Sequence, residues 1–578
     1  MLHNRAIAER FALIADMLEI KGESIFRINA YRRAARAVEG LTEDIAEIAR
    51  RGKLTEIPGI GQATADKIVE FLQTGTMKTY DELAASLPPG VTTLMRVPEV
   101  GPKTALLLSE KLGITTLDQL EAAARAGKIR ELPRMGAKTE ENILRGLAAV
   151  RRSGTRQPLG VVLPVAEELV GLLRAVEGVD EIEVAGSLRR RKDTIGDIDI
   201  LVTSAQPAAV MEAFVHAPQV AQALAQGPTR SSVLLTVGLQ ADLRVVEPAA
   251  YGAALQYFTG SKEHNVTLRE RAVRKRLKIN EYGVWRVKDN RRVAGRDEPG
   301  VYRAVGLPWI PPELREDQGE IDAAAAGRLP RLVEPKHIRG DLHMHTTWSD
   351  GSESAQAMAE AAKALGYEYI CITDHSQSLK VAGGVSVDAL REHIAVVRRL
   401  SDRVGLAVLI GAEVDIAADG TLDYPDDVLA DLDVVIASVH TRFRMSREEI
   451  TRRICRAMES PHVDILGHPT GRLLGTRDPY EVDIEAIVDT AARTGTALEI
   501  NARPERLDLK DTHVRLARDR GARLAIGSDA HAAAQLRHMP LGVSVARRGW
   551  LEPRHVLNTL PLEKLCDALR SGTPRRRR

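Results

Sequence analysis

In the stretch VAGSLRRRKDTIGDIDILV, Asp197 and Asp199 alternate with Ile198 and Ile200. On a β-strand this spacing turns both carboxylates to one face and both isoleucines to the other, against a core. A third acid on a neighbouring strand, Asp242 in LQADLRVVE, completes a set of hard oxygen donors suited to Mg²⁺ and to substrate phosphate. Carboxylates so placed fit two-metal phosphoryl transfer. Just upstream, Gly186 permits a tight turn, while Ser187 and the run Arg189, Arg190 and Arg191 offer hydroxyl and guanidinium donors for a triphosphate. A lone Asp-x-Asp is common on polar strand edges, and the Gly-Ser-x-Arg-Arg segment ahead of it makes the pattern specific.

A second set of donors lies further on. From Ile338, seven apolar segments end in polar clusters: IRGDLHMH, YICITDH, VLIGAEVDI, VVIASVH, VDILGHP, ALEINA and RLAIGSDAH. Their candidate ligands are His343, His345, Asp350, His375, Glu413, His440, His468, Asp529 and His531. These are too many for one tetrahedral zinc, so two or three ions are expected. Imidazole and carboxylate without thiolate suit Zn²⁺, Mn²⁺ or Fe²⁺, and Glu413 is placed to bridge two of them. Such ions activate water for phosphoester hydrolysis. Cys371, Cys455 and Cys566 are scattered and form no ligand motif. A single histidine is more often a core residue with a local partner, but six at successive strand ends do not read that way. In EINARPERLDL, Asn501, Arg503 and Arg506 are further candidates for phosphate contact.

The elements that must carry these groups follow from the pattern. Seven apolar segments separated by helical stretches are consecutive βα units, and parallel βα units curl into a barrel with its site at the carboxyl ends of the strands. Around Asp197, short apolar runs between helices indicate an α/β or α+β domain. At the amino-terminal end one pattern recurs: LTEIPGIGQATADKI from Leu54, LMRVPEVGPKTALLL from Leu94 and IRELPRMGAKTEENI from Ile129. Each reads as helix, glycine turn and helix, with Gly59, Gly61, Gly101 and Gly136 bringing the first-turn N–H groups of the second helix against a DNA phosphate. The run RERAVRKRLK from Arg269 reads either as a solvated helix face or as a phosphate-tracking surface, and its position favours the second.

Length and composition bound the rest. The 578 residues allow about four domains of roughly 150 residues. Hydrophobic residues make up 44% and charged residues 28%, and no apolar run approaches the roughly 20 residues that span a bilayer. No membrane association or export signal is expected, and the sparse cysteines suit a reducing cytoplasm. The net charge of +2 makes phosphate binding a local property. Links run through RRSGTRQP from Arg151 and from about Arg315 to His337, and 12 of the 15 histidines lie at or beyond His337.

AGSLRR, DID, Asp242, YFTGS from Tyr257, INEYGVW from Ile279 and GLPWIPPELRE from Gly306 occur in the order found in the family X DNA polymerases, which the chain resembles. The resemblance implies that Asp197 and Asp199 bind both metals, with Asp242 on the catalytic one. Ser187 and Arg190 would then hold the incoming triphosphate, Tyr257 and Phe258 would exclude a ribose 2′-hydroxyl, and Gly260 would permit close approach. Asn265 and Arg269 fall at minor-groove contacts to the nascent pair, while Lys262 stands where better-known members carry an acid. FRINAYRRAAR from Phe26, with Tyr31 as a DNA contact, resembles the small domain that grips the 5′ end of a gap. Lys67 aligns with a Schiff-base lysine that removes 5′-deoxyribose phosphate in some members. The companion position is Ala63, so phosphate binding is expected at Lys67 and lyase chemistry is the alternative.

The order HxH, D, H, E, H, H, DxH resembles the PHP (polymerase and histidinol phosphatase) family of distorted seven-stranded barrels, which hydrolyse phosphoesters at a trinuclear centre. Together the resemblances imply a multidomain α+β and α/β chain: a small helix-hairpin-helix domain (1–88), helical fingers with two further hairpins (89–155), a nucleotidyltransferase palm (156–250), a thumb (251–316), a linker (317–336), a distorted (βα)7 PHP barrel (337–570) and a basic tail (571–578). They imply a monomeric, gap-filling repair polymerase acting on gapped or primer-template DNA with deoxynucleoside triphosphates. Mg²⁺ would serve the carboxylates, and two to three Mn²⁺ or Zn²⁺ ions the barrel, which acts as 3′–5′ exonuclease, 3′-phosphatase or abasic-site endonuclease. The alternatives are a small-molecule phosphatase barrel fused to a polymerase, and a DNA-end-binding scaffold without catalysis.

Overall fold

A computed structural model describes residues 2–39, 45–57, 59–74, 76–86, 88, 90–94, 97, 100, 102–132, 135–152 and 156–570. Gly101 and the basic tail at 571–578 lie outside the described residues. The chain divides between Thr155 and Arg156 into two compact units. Among the described residues no helix is long and apolar enough to cross a membrane.

The first unit is helical. Helices α1 (Leu2–Ile20) and α2 (Ile25–Glu39) bury Phe11, Ile14, Leu18, Ile28 and Val38 together with Ile68 of α3 (Gln62–Thr74). Helix α3 starts directly after Gly61, and Gly59 holds the preceding turn at φ +98°, a left-handed conformation that favours glycine. Helices α4 (Pro102–Leu112) and α5 (Ala137–Arg152) are the second helices of the other two hairpins, packed around Leu108, Ile129 and Ile143. Glu140 fastens the third turn: its buried carboxylate accepts from the backbone N–H of Ile129 (3.1 Å) and Arg130 (3.0 Å).

In the second unit, helix α6 (Leu159–Arg174) packs on a five-stranded sheet of β1 (Val179–Val184), β2 (Asp197–Ser204), β3 (Val220–Gln226), β4 (Arg230–Leu235) and β5 (Gln240–Val245), in spatial order β1-β2-β5-β4-β3. Only β2 and β5 run parallel. The next region contains α7 (Tyr251–Thr259), α8 (Lys262–Arg274) and a three-stranded antiparallel sheet. It is tied back by Glu298, whose carboxylate accepts from both Arg189 (2.7 and 2.8 Å) and the fully buried Arg315 (2.7 and 3.2 Å). Burial opposes ionisation of Glu298, but the two guanidinium groups hold it well below the usual carboxylate range.

Within residues 317–336, expected as a linker, several side chains are buried. Glu320 is fully buried, accepts from the backbone N–H of Asp317 (3.0 Å) and Gln318 (2.8 Å), and meets His264 Nδ1 at 2.6 Å, while Ile321 and Ala324 join the apolar cluster beneath. The polar, alanine-rich composition that reads as a link hides a short helix anchored by one buried acid.

Beyond it lie seven parallel strands in sequential order: β6 (Gly340–Asp341), β7 (Tyr369–Ile372), β8 (Ala407–Asp415), β9 (Val434–Ser438), β10 (Ile465–Leu466), β11 (Ala497–Asn501) and β12 (Leu524–Gly527). A parallel bridge from Met344 to Ala530 sets the first strand's extension beside the last, so the sheet is a nearly closed barrel. One buried apolar cluster continues from α6 and the five-stranded sheet into this barrel, which makes the two regions a single packed body.

Candidate active sites

The register of β2 against β5 builds the carboxylate site. Asp199 lies directly opposite Asp242, and Asp197 opposite Gln240, so all three acids share one face of the sheet, with Ile198 and Ile200 buried beneath. Asp242 is held by the Ser232 hydroxyl and by Gln240 Nε2 at 3.2 Å. Burial, then the neighbouring Asp197 and Asp242 carboxylates, push Asp199 up to about 7. A divalent cation among these oxygens would remove that repulsion, so the donor set fits a hard metal.

Beside the acids the Gly186 turn comes close. Gly186 has φ +60°, and a Cβ there would stand 2.8 Å from Asp199 Oδ2, so only glycine fits. The adjacent Ser187 hydroxyl is buried with no hydrogen-bond partner, an orphan that a phosphate oxygen would satisfy. Arg190 reaches the same corner, donating from Nη1 to Thr259 O (2.6 Å) and from Nε to Glu316 Oε1 (3.0 Å). Arg189, grouped with it on sequence, is committed to Glu298 and to the Thr259 hydroxyl (2.7 Å). Tyr257 and Phe258 meet edge to face at 5.2 Å, and the Arg244 guanidinium stands 4.6 Å over the Phe258 ring. Gly260 has φ +70°, and its Cβ position lies 3.1 Å from Arg190 Nη1. Asn265 accepts from Gln256 (2.7 Å) and donates to Tyr257 O (2.7 Å), and Arg269 Nε donates to Asn265 O (3.2 Å).

In the first unit, Tyr31, expected as a DNA contact, is mostly buried. It is 7% exposed, its ring 5.9 Å from that of Phe11, because the helix face that carries it is the apolar one. Lys67 donates to Ala63 O at 3.3 Å, one turn back on α3.

The barrel draws its candidate ligands into one cluster. Glu413 is the hub: its oxygens lie 3.4 Å from His343 Nε2, 3.0 Å from His375 Nδ1, 3.3 Å from His440 Nε2 and 2.8 Å from His468 Nε2. Among the described residues, three overlapping groups bring ligand atoms within 4.8 Å of one another: His345, Asp350, His375 and His531; His343, His345 and Asp529; and His375, Glu413 and His440. His468 joins through Glu413. Among the described residues, the buried Nδ1 atoms of His345 and His468 make no hydrogen bond to the protein. Burial opposes charge on Glu413, but His440, His343 and His375 hold it well below its ordinary range. Burial and His375 push His345 down to about 4, leaving it a neutral ligand. His468 (φ +27°) and Asp529 (φ +52°) both sit in the left-handed region, strain of the kind concentrated at functional sites.

Around this cluster stand acids that the sequence reading passed over. Glu499 takes His343 Nδ1 at 2.6 Å and the His468 backbone N–H at 2.6 Å, and Asp415 takes His440 Nδ1 at 2.7 Å. Asp374 accepts from the Thr346 N–H (2.8 Å) and the Ser349 hydroxyl (2.6 Å), fixing the loop after His345. Such partners set tautomer and ring orientation. The available signal was alternation: Asp415 lies two residues beyond Glu413 on the same strand face, and Glu499 two before Asn501. Asn501 donates to Asp529 Oδ2 at 3.1 Å, and Arg506 Nε lies 3.4 Å from the same oxygen, while Arg503 pairs outward with Glu505.

Comparison with known proteins agrees with this geometry. Residues 2–77 match a helix-hairpin-helix domain model and 91–149 a SAM-like helix-hairpin-helix tandem. Residues 254–316 match the DNA polymerase beta thumb and 341–503 the PHP domain. The chain is 38% identical over 565 residues, 97% of its own length and 98% of the relative's, to the DNA polymerase/3'-5' exonuclease PolX of Bacillus subtilis (strain 168). Its barrel is 30% identical over 234 residues, 38% of this chain and 89% of the relative, to a probable phosphatase of Thermoanaerobacter sp. (strain X514). A probable phosphatase of Syntrophotalea carbinolica is 28% identical over 245 residues, 40% of this chain and 96% of its own. The order of these domains and the match along nearly the whole chain place it in the family X DNA polymerases that carry helix-hairpin-helix and PHP domains.

Proposed function

We propose that this chain fills short gaps in damaged DNA and processes 3′ ends with its barrel. The observation that carries the reading is the pairing of β2 with β5, which sets three carboxylates side by side next to an unpartnered Ser187 hydroxyl and Arg190. Asp197, Asp199 and Asp242 hold Mg²⁺, and the barrel ligands hold two to three Mn²⁺ or Zn²⁺ ions, which when bound supply charge neutralisation at phosphoryl oxygens and an activated attacking oxygen. Ser187 and Arg190 bind the triphosphate, and Asp242, steadied by Ser232 and Gln240, stands where the primer 3′-hydroxyl gives up its proton. That oxygen bonds to the α-phosphorus and pyrophosphate leaves. Tyr257 and the pinned Phe258 close the sugar edge, favouring deoxynucleotides. The hairpin turns at Gly59, Gly61 and Gly136, with Lys67 on α3, grip backbone phosphates without reading bases.

In the barrel, Glu499 and Asp415 keep His343 and His440 in the tautomer that presents Nε2 to the centre, and the cluster cleaves a phosphoester as 3′–5′ exonuclease, 3′-phosphatase or abasic-site endonuclease. A second reading, a small-molecule phosphatase, is favoured by the likeness of the barrel to the probable phosphatases. The test is an end-labelled primer on one-nucleotide-gapped DNA with Mn²⁺, with and without deoxynucleotides, run beside histidinol phosphate. Extension together with shortening supports the proposal. Hydrolysis of histidinol phosphate without shortening supports the phosphatase, and intact binding without any turnover supports a scaffold.

A further inference from the structure

Between Ser187 and the Asp197 strand lies the loop Arg190–Asp193, and the barrel grips it at both ends. At its start, Arg548, the last residue of helix α10 (Met539–Arg548), donates from Nη1 to Arg190 O at 2.7 Å and to Glu316 Oε1 at 3.0 Å. Its Nη2 bonds Asp511 at the first turn of helix α9 (Asp511–Asp519). Glu316 Oε1 is the same oxygen that takes Arg190 Nε at 3.0 Å. At the loop's end, Arg472 donates from Nη1 to Asp193 Oδ2 at 3.0 Å, while its Nε holds Arg506 O at 3.0 Å beside the barrel centre. Both barrel arginines are buried, Arg548 at 5% and Arg472 at 9% exposure.

Mere adhesion does not call for this arrangement. The apolar cluster shared by α6 and the barrel already joins the two regions, and a buried ion pair stabilises no better than a well-packed apolar contact. What the guanidinium fork adds is direction: it fixes a backbone carbonyl and a carboxylate at once. Arg548 is itself balanced, by Asp511 on Nη2 and Glu316 on Nη1, so its effect on Arg190 is geometric: it anchors the Arg190 carbonyl and the Glu316 carboxylate that Arg190 Nε meets.

We infer that Arg548 and Arg472 are positioning residues of the nucleotide site, holding the Arg190–Asp193 loop from the barrel side so that Arg190 faces the triphosphate. The inference rests on the reading of Ser187 and Arg190 as triphosphate contacts. It makes the PHP barrel a working part of nucleotide addition, separate from any hydrolysis it performs.

The experiment is steady-state single-nucleotide addition to gapped DNA in Mg²⁺ by the full chain and its variants Arg548→Leu, Arg548→Lys, Asp193→Ala, Arg190→Ala and the double variant Arg190→Ala with Arg548→Leu. Losing a hydrogen bond to a charged group raises the nucleotide KM about tenfold in Arg548→Leu, with kcat held. Arg548→Lys, which keeps the charge without the fork, recovers part of that rise, and Asp193→Ala raises KM in the same direction. In the Arg190→Ala background Arg548→Leu adds nothing, since it acts through Arg190. If Arg190→Ala raises KM but Arg548→Lys and Asp193→Ala leave it unchanged, the inference is overturned, whether or not Arg548→Leu folds. A fall in kcat and melting temperature with KM unchanged marks a scaffold contact and overturns it equally. If Arg190→Ala itself leaves KM unchanged, the nucleotide-site reading beneath fails instead.

Discussion

The two candidate sites solve the placement of metal donors in opposite ways. The carboxylate site takes three side chains from two paired strands, and they stay open: Asp197 is exposed, Asp199 and Asp242 half-buried. The barrel takes its donors from successive strand ends and buries most of them, with His343 and Glu413 at 1% and His345 at 0% exposure, while Asp350 is exposed and His440 and His531 are half-buried. Donor chemistry accounts for the difference. A Mg²⁺ site of a few carboxylates is completed by substrate phosphates and must be reachable, whereas imidazole-rich clusters close around their ions before substrate arrives. A metal at the first site would leave more of its coordination to substrate than one at the second.

Separate assembly makes the sites separable by mutation. Asp197→Ala removes a donor from the thin set, and the loss of several kcal/mol of charge stabilisation lowers primer extension about a thousandfold while Mn²⁺-dependent shortening persists. His343→Ala with His345→Ala breaks two of the three overlapping ligand groups and does the reverse, abolishing shortening and sparing extension in the same gapped-primer assay. If either change removed both activities, the contrast between the sites would collapse into one shared centre. Glu499→Gln is milder. It keeps a hydrogen-bonding group at His343 Nδ1 but loses the charge, and lowers metal affinity and shortening about 10- to 100-fold, read by Mn²⁺ titration.

Sequence legibility divided along the same line. Alternation at Asp197 and Asp199, and histidines at strand ends, are local patterns whose geometric meaning is set by strand periodicity, and the strands formed where those patterns lie. Which partner a residue meets across the chain was not legible: alternation puts Glu499 on the face of Asn501 but does not pair it with His343, 156 residues away, and nothing announces Arg548, 358 residues from Arg190. Two further details lay beyond composition: Tyr31 is mostly buried, and so is Glu320 within 317–336. Whether an aromatic or a short polar stretch faces water depends on which neighbour covers it, and composition is silent on that.

The smallest effect tests how thin the support of the open site is. Asp242 is steadied by one hydroxyl, from Ser232, and one amide, from Gln240, where the barrel ligands rest on charged acids. A hydrogen bond to a charged carboxylate contributes about 1.5 kcal/mol, so Ser232→Ala should raise the Mg²⁺ concentration for half-maximal extension about tenfold. Because Ser232 is buried on β4, away from the barrel, shortening in Mn²⁺ should not change. A Mg²⁺ titration of extension by this variant reads the effect directly. An unchanged midpoint would mean that Gln240, the Arg230 guanidinium at 3.9 Å and the strand register against Asp199 hold Asp242 without the hydroxyl.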